Sequence, residues 1–419
     1  RLYLDTARLG RMSGRAQRAQ IDFVRLAGEE GCTLYWDRFL RDGFGVWPRR
    51  LQSRYPGLSD WRGIQYLKAS LAELTGVSAP NRVLLANRSA ELVRLAARAM
   101  FRRCERVLVT DLTWPSYANI LERQSLNRGR RAVVVPIRKA IFRDRAALAE
   151  VVERIAREYR VNQCDGLFLP AVSHDGIRLP LRMVWRAVSG HRPPRFVAVD
   201  GAQAFCHAPV DLSGDWCDIF IAGCHKWLGG HLPMGLAFLP RATSYRAIQQ
   251  TLARMLRTRP LHDPLLAFTW QLEHDCQERY SETVNLVSLF SCRASLAEWF
   301  SRPYSVQRQF KRQLANARQL TVEVQDTGWK TLRPSPCFRS GIVLLQPESQ
   351  TLRRMPPDRL RRRLHQEGID VTSYPGGIIR VSMPRDTWKE RSLERLRLAL
   401  RRCRKRNVRS SDWAPVVNW

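Results

Sequence analysis

Six side chains with distinct chemistry recur at comparable places in the first 230 residues. Lys226 lies in "FIAGCHKWLGG" (220–230) beside His225. Asp200 closes the apolar run "FVAVD" and Gln203 follows it. Arg88 and Ser89 interrupt "LLANRSAEL" (84–92). The lysine stands out because the chain seldom uses one. Of 70 Lys+Arg, seven are lysine (68, 139, 226, 311, 330, 389 and 405), leaving 63 arginines. A guanidinium stays protonated and cannot attack as an amine, so a position that needs an amine nucleophile must remain lysine. Asp200 can hold a cationic nitrogen, and a hydroxyl at a helix amino terminus suits a phosphate.

These residues are placed by a regular alternation of elements. Short apolar or β-branched runs occur at 82–87, 106–111, 132–137, 166–173, 196–201, 219–223 and 235–240. Most are continuous rather than alternating, the pattern of strands buried on both faces. Between them, "SAELVRLAARAMFRR" and "DRAALAEVVERIAREYR" carry apolar residues at three-and-four spacing. The spacing predicts an α/β architecture, with a mostly parallel seven-stranded sheet flanked by helices. Asp200, Gln203 and His225-Lys226 then fall at carboxyl ends of strands, where open α/β sheets bind ligands. After Pro240 the pattern turns helical to about 325. Strand-like runs at 340–346 and 376–383 then alternate with helical 356–368 and 389–403, which reads as a smaller α+β domain.

A chain of 419 residues is long enough for two domains. No apolar run approaches the length of a membrane helix and no signal peptide is evident, which predicts a cytoplasmic protein without membrane attachment. The net charge of +32 is dispersed along the sequence and no nucleic-acid motif accompanies it, so it reads as an arginine bias rather than a nucleic-acid surface. Ten cysteines occur without a CxxC pair and read as reduced thiols. Cys206-His207, Cys217 and Cys224-His225 match no structural zinc spacing, and no metal site is expected.

One ligand answers the whole set: it has a phosphate, an aldehyde for Lys226 and a basic ring nitrogen for Asp200. Pyridoxal 5′-phosphate has all three. The sequence resembles the class V aminotransferase group of fold-type I pyridoxal phosphate enzymes over nearly its whole length. "YLDTARLGRMS" is similar to the family's opening stretch, "VDGAQ" to its Asp-x-Ala-Gln, "GCHKWLGG" to its His-Lys block, "RYSETVN" to the segment lent across the dimer, and "IIRVSMP" to its late arginine strand. The resemblance implies that Lys226 holds the cofactor, Asp200 pairs with the ring nitrogen and Gln203 meets the ring oxygen. It implies that Ser89, Arg88 and His225 bind the phosphate and that Thr283 reaches it from the partner subunit. It further implies that Trp114 (or Tyr117) stacks on the ring, His174 acts near substrate, and Arg380 grips the substrate carboxylate. Two departures stand out. Gly223 occupies a position where the family often has serine, and "DVTSYPGGII" (370–379) lacks the desulfurase cysteine. The epimerase-like branch therefore fits better than persulfide chemistry.

The expected protein is a homodimer with composite sites that acts at the Cα of an amino acid, in epimerase, lyase, replacement or aminotransferase chemistry of specialised metabolism. The alternative is a cofactor-less or regulatory binding protein on the same fold, in contact with nucleic acid. The expected divisions are an amino-terminal segment (1–20) near the site, a large cofactor-binding domain (21–260) and a small domain (261–419).

Overall fold

The computed structural model describes all residues except 32–35, 232, 259–261, 275–282, 303–304 and 406–419. The chain divides into two compact units, residues 6–310 with 334–340 and residues 1–5 with 311–333 and 341–419.

The larger unit is built on a seven-stranded sheet. Its strands are β1 (Val83–Ala86), β2 (Arg106–Thr110), β3 (Arg131–Val135), β4 (Gly166–Pro170), β5 (Phe196–Asp200), β6 (Ile219–Gly223) and β7 (Gly235–Phe238). Six fall within the runs read from sequence, and β3 begins one residue before its run. Their order is β1-β7-β6-β5-β4-β2-β3. Only β7 is reversed, pairing antiparallel with both β1 and β6. Strands β1, β4, β5, β6 and β7 are buried at every residue, which explains why they read as continuous apolar runs.

The helices used below are α1 (Gly14–Glu29), α2 (Ser89–Arg103), α3 (Pro115–Leu126), α4 (Leu148–Val161), α5 (Leu181–Ser189), α6 (Pro264–Glu273) and α7 (Val287–Phe300). Helix α2 buries Leu92, Ala96 and Met100 in one cluster with Phe168, Ala198 and Ile221 of the sheet. The expected boundary at residue 260 differs from the observed one near Lys311. Apolar packing accounts for the difference, because α7 lays Phe290 flat on Phe23 of α1, with ring centroids 4.3 Å apart.

The smaller unit holds a four-stranded antiparallel sheet of β8 (Trp329–Leu332), β9 (Ile342–Pro347), β10 (Thr372–Tyr374) and β11 (Ile378–Ser382), in the order β10-β11-β9-β8. Leu345, Ile379, Leu360 and Leu396 share its core. Residues Leu2–Tyr3 pair in parallel with Ile369–Asp370, which joins the first five residues to this unit. Strands β8, β10 and Leu2–Tyr3 have no counterpart in the sequence reading, since two to four residues are too few to display a period. Among the described residues no helix is long and apolar enough to cross a membrane.

Candidate active site

Strand β6 ends at Gly223 and the chain turns at once through Cys224–Leu228. Two bonds close the turn, Cys224 N–H to the Met234 carbonyl (3.0 Å) and Gly230 N–H to the Cys224 carbonyl (2.9 Å). The amino-terminal stretch then locks it from outside. Gly10 N–H donates to the His225 carbonyl at 2.7 Å. A Cβ on Gly10 would lie 1.8 Å from the Lys226 carbonyl oxygen, so only glycine fits there. The glycine of "YLDTARLG" thereby sets the backbone that carries Lys226.

Asp200 ends the neighbouring strand β5 and pairs in register with Ile221 of β6. Its carboxylate is 6% exposed and its Oδ1 accepts the Ala202 N–H at 2.9 Å. Burial pushes its pKa up, while the Ala202 N–H and the charge of Lys226 pull it down. A buried carboxylate of this kind is complementary to a cationic ring nitrogen. Gln203 is also buried. Its amide donates to the Ala7 carbonyl (2.7 Å) and accepts from Trp227 Nε1 (3.0 Å). His207 stacks on Trp227 with centroids 3.8 Å apart and bonds the Gln203 carbonyl through Nδ1 (2.6 Å). Gln203 thus ties the amino-terminal stretch to the lysine turn.

Three segments meet at the amino terminus of α2. Ser89 begins α2, and its hydroxyl meets the Tyr117 hydroxyl of α3 at 2.8 Å. Gly235 of β7 pairs with Gly223 of β6, and a Cβ on Gly235 would lie 2.5 Å from the Ser89 nitrogen. These glycines allow the α2 terminus to approach the His225 turn. The buried Asp263 carboxylate accepts N–H bonds from Asn87 (2.9 and 3.0 Å) and Arg88 (3.4 Å) and caps α6 through Leu266 N–H (3.0 Å). With the Asn87 and Arg88 amides so held, the first amides of α2 lie outside its intrahelical ladder, where they suit an anion. Among the described residues, buried His225 Nδ1 has no hydrogen-bond partner. Burial, with help from Lys226 and His231, brings the His225 pKa down to about 4. A neutral ring nitrogen, helix amides and a hydroxyl at one end, with a buried carboxylate and an amine at the other, fit pyridoxal phosphate.

Trp114 is 40% exposed at the start of α3, and its ring meets His174 edge-on at 5.1 Å. Those two expected residues therefore come together. Tyr117, the second choice for stacking, instead faces Ser89 with its hydroxyl. Arg88 is exposed. Thr283 is exposed, and the part of its segment that precedes it, 279–282, lies outside the described residues. Arg380 lies on β11 in the smaller unit, 4% exposed, and reaches Asp5 Oδ1 (3.3 Å) and Thr372 Oγ1 (3.2 Å). The glycine pair before β11 serves a turn. Both glycines have positive φ, and a Cβ on Gly377 would meet the Leu352 carbonyl at 2.6 Å. Asp263, Gly10 and His207 were missed. "HDPLL" does carry a helix-start signal at Asp263, with proline at the first helical position, but its tie to Asn87 and Arg88 is a tertiary contact.

The sequence model of the family described as Aminotransferase class-V matches residues 61–246. No curated protein matches the chain. Solved structures resemble the fold at low identity. The cysteine desulfurase CsdA of Escherichia coli is 16% identical with a TM-score of 0.68, covering 96% of this chain and 94% of that one. The cystine C–S lyase C-DES, in complex with its product cysteine persulfide, is 15% identical with a TM-score of 0.68, covering 95% and 97%. A NifS-like protein is 15% identical with a TM-score of 0.65, covering 96% and 98%. The match to the class V aminotransferase family thus covers residues 61–246, and the fold of the whole chain is similar to that of these solved structures.

Proposed function

We propose that the protein is a pyridoxal phosphate-dependent enzyme that acts at the Cα of an amino acid. The observation that carries this reading is that Lys226, three residues past the end of β6, and buried Asp200, at the end of the adjacent parallel β5, lie close enough for the lysine charge to act on the carboxylate. When bound, the cofactor supplies an electron-accepting ring that stabilises negative charge at Cα. The chain's own residues do the rest. Lys226 would hold the cofactor's aldehyde, and its amine, once set free by exchange with the substrate amine, would move a proton at Cα. Asp200 keeps a proton on the ring nitrogen, and its burial strengthens that pairing. The first amides of α2, the Ser89 hydroxyl and His225 Nδ1 hold the phosphate, joined in the dimer by Thr283 of the other subunit. Gln203 would meet the ring oxygen, and Trp114 would pack against the ring. Arg380 receives the substrate carboxylate as a bidentate pair.

We place the enzyme outside the persulfide-forming desulfurases, because 370–379 has no cysteine to take up sulfur. Epimerisation, β- or γ-elimination or replacement, and transamination are the outcomes open to the remaining groups.

The test is borohydride reduction of the purified protein followed by peptide mapping. The pyridoxyl label is expected on Lys226, and a label on another lysine overturns the assignment. Incubation with an amino-acid panel that includes cysteine and cystine, with mass analysis of products, then identifies the reaction. Formation of a protein-bound persulfide overturns the exclusion of desulfurase chemistry.

A further inference from the structure

A cleft of about 570 Å³ opens in the larger unit, away from the residues assigned above. Its walls include Leu179, Trp216, Phe220 and Cys337, and neither Lys226, Asp200 nor Ser89 lines it. Arg178 also lines it, half-buried. The Arg178 backbone is fixed by a bridge to Val172 and by its N–H bond to the Phe338 carbonyl (2.8 Å). Its guanidinium lies over the Phe310 ring, 5.1 Å from the centroid. No carboxylate among the described residues pairs with it, and burial alone pulls its pKa down. The neighbouring Arg182 differs, because Asp211 neutralises it at 3.0 Å.

A half-buried guanidinium with no counter-charge is costly, and an anionic ligand offsets that cost. One uncompensated fork matches one carboxylate, and the aromatic and aliphatic walls match an apolar body. A phosphate dianion would need a second free cation, and Arg182 is already paired. We propose that this cleft is a second ligand site, for a small monoanionic carboxylate with an apolar body, with the carboxylate seated on Arg178. The proposal is independent of the cofactor assignment.

Cys337 supplies the test, since it is exposed at the cleft while the other described cysteines are buried. Alkylation of Cys337 in the holoenzyme is followed by peptide mapping, with anionic iodoacetate against neutral iodoacetamide. Arg178→Gln should lower the iodoacetate-to-iodoacetamide rate ratio at Cys337 by about tenfold, the scale of one charged hydrogen-bonded contact. Phenylacetate should protect Cys337 in the wild type, whereas phenylacetamide and inorganic phosphate should not. Arg178→Lys, which keeps the charge and loses the fork, should retain the iodoacetate preference and lose most of the protection. This second variant covers a failure of the first to fold. An unchanged rate ratio in Arg178→Gln, equal protection by phenylacetamide, stronger protection by phosphate, or full phenylacetate protection in either variant would each overturn the proposal.

Discussion

Asp200 is the residue whose chemistry is easiest to isolate. Asp200→Asn preserves shape and the Ala202 contact but cannot hold a proton on a ring nitrogen. Cofactor should remain bound while turnover falls by roughly 10²-fold or more, the scale of one preorganised electrostatic contact. Steady-state kinetics on spectroscopically loaded protein check this, and near-normal turnover would remove Asp200 from the chemistry. Arg380→Lys should leave the bound-cofactor spectrum unchanged and lower kcat/KM by roughly 2–4 kcal/mol, the range for truncating a buried charged pair. Because Arg380 also pairs with Asp5, a purely structural role would instead appear as lost stability with unchanged discrimination between substrate acids and amides. His207 sets a pH signature. Burial lowers its pKa from 6.5 to about 4, so below pH 6.5 the unfolded chain binds the proton that the folded chain refuses. Its stabilising share is complete above pH 6.5 and falls by roughly 3 kcal/mol as pH drops toward 4. Denaturant titrations across that window should show a flatter slope for His207→Phe than for wild type, and equal slopes would count against the assignment.

At the scale of elements, the junction of β1, α2 and α6 depends on one carboxylate. Asp263 accepts backbone N–H groups from Asn87, Arg88 and Leu266, and so fixes the turn from which α2 starts. Asp263→Ala leaves those buried donors without partners and removes the α6 cap. A loss of roughly 2–4 kcal/mol in unfolding free energy follows from those two effects. Cofactor should also dissociate faster, since the α2 amides lose their fixed direction. Release followed by fluorescence checks this, and an unchanged release rate would confine Asp263 to stability.

For the whole molecule, the decisive expectation is a dimer with shared sites. Lys226→Ala and Thr283→Asp should each be inactive as homodimers. Mixed after demonstrated subunit exchange, they form heterodimers in which one site carries both changes and the other carries neither. Activity should return to a minority fraction of the wild-type level, and no recovery would mean that Thr283 serves its own chain. The charge of +32 belongs to this scale too. It predicts salt-sensitive association with polyanions in general rather than a specific nucleic-acid partner, because no recognition motif accompanies it.

The sequence by itself determined the strands of the large sheet, because strands buried on both faces must be apolar throughout. It also located Lys226 and Asp200, because strand ends are where polar chemistry can resume. It left undecided whatever depends on contacts between distant segments. Gly10 under the Lys226 carbonyl, Asp263 on the Asn87–Arg88 turn and Tyr117 against Ser89 join residues far apart in the chain, and no local period or cap signal encodes such a meeting. The boundary between units was likewise a tertiary decision. The helices after Pro240 read as a new domain by their pattern, but Phe290 of α7 stacks on Phe23 of α1, and burial of that shared apolar face keeps them with the large sheet.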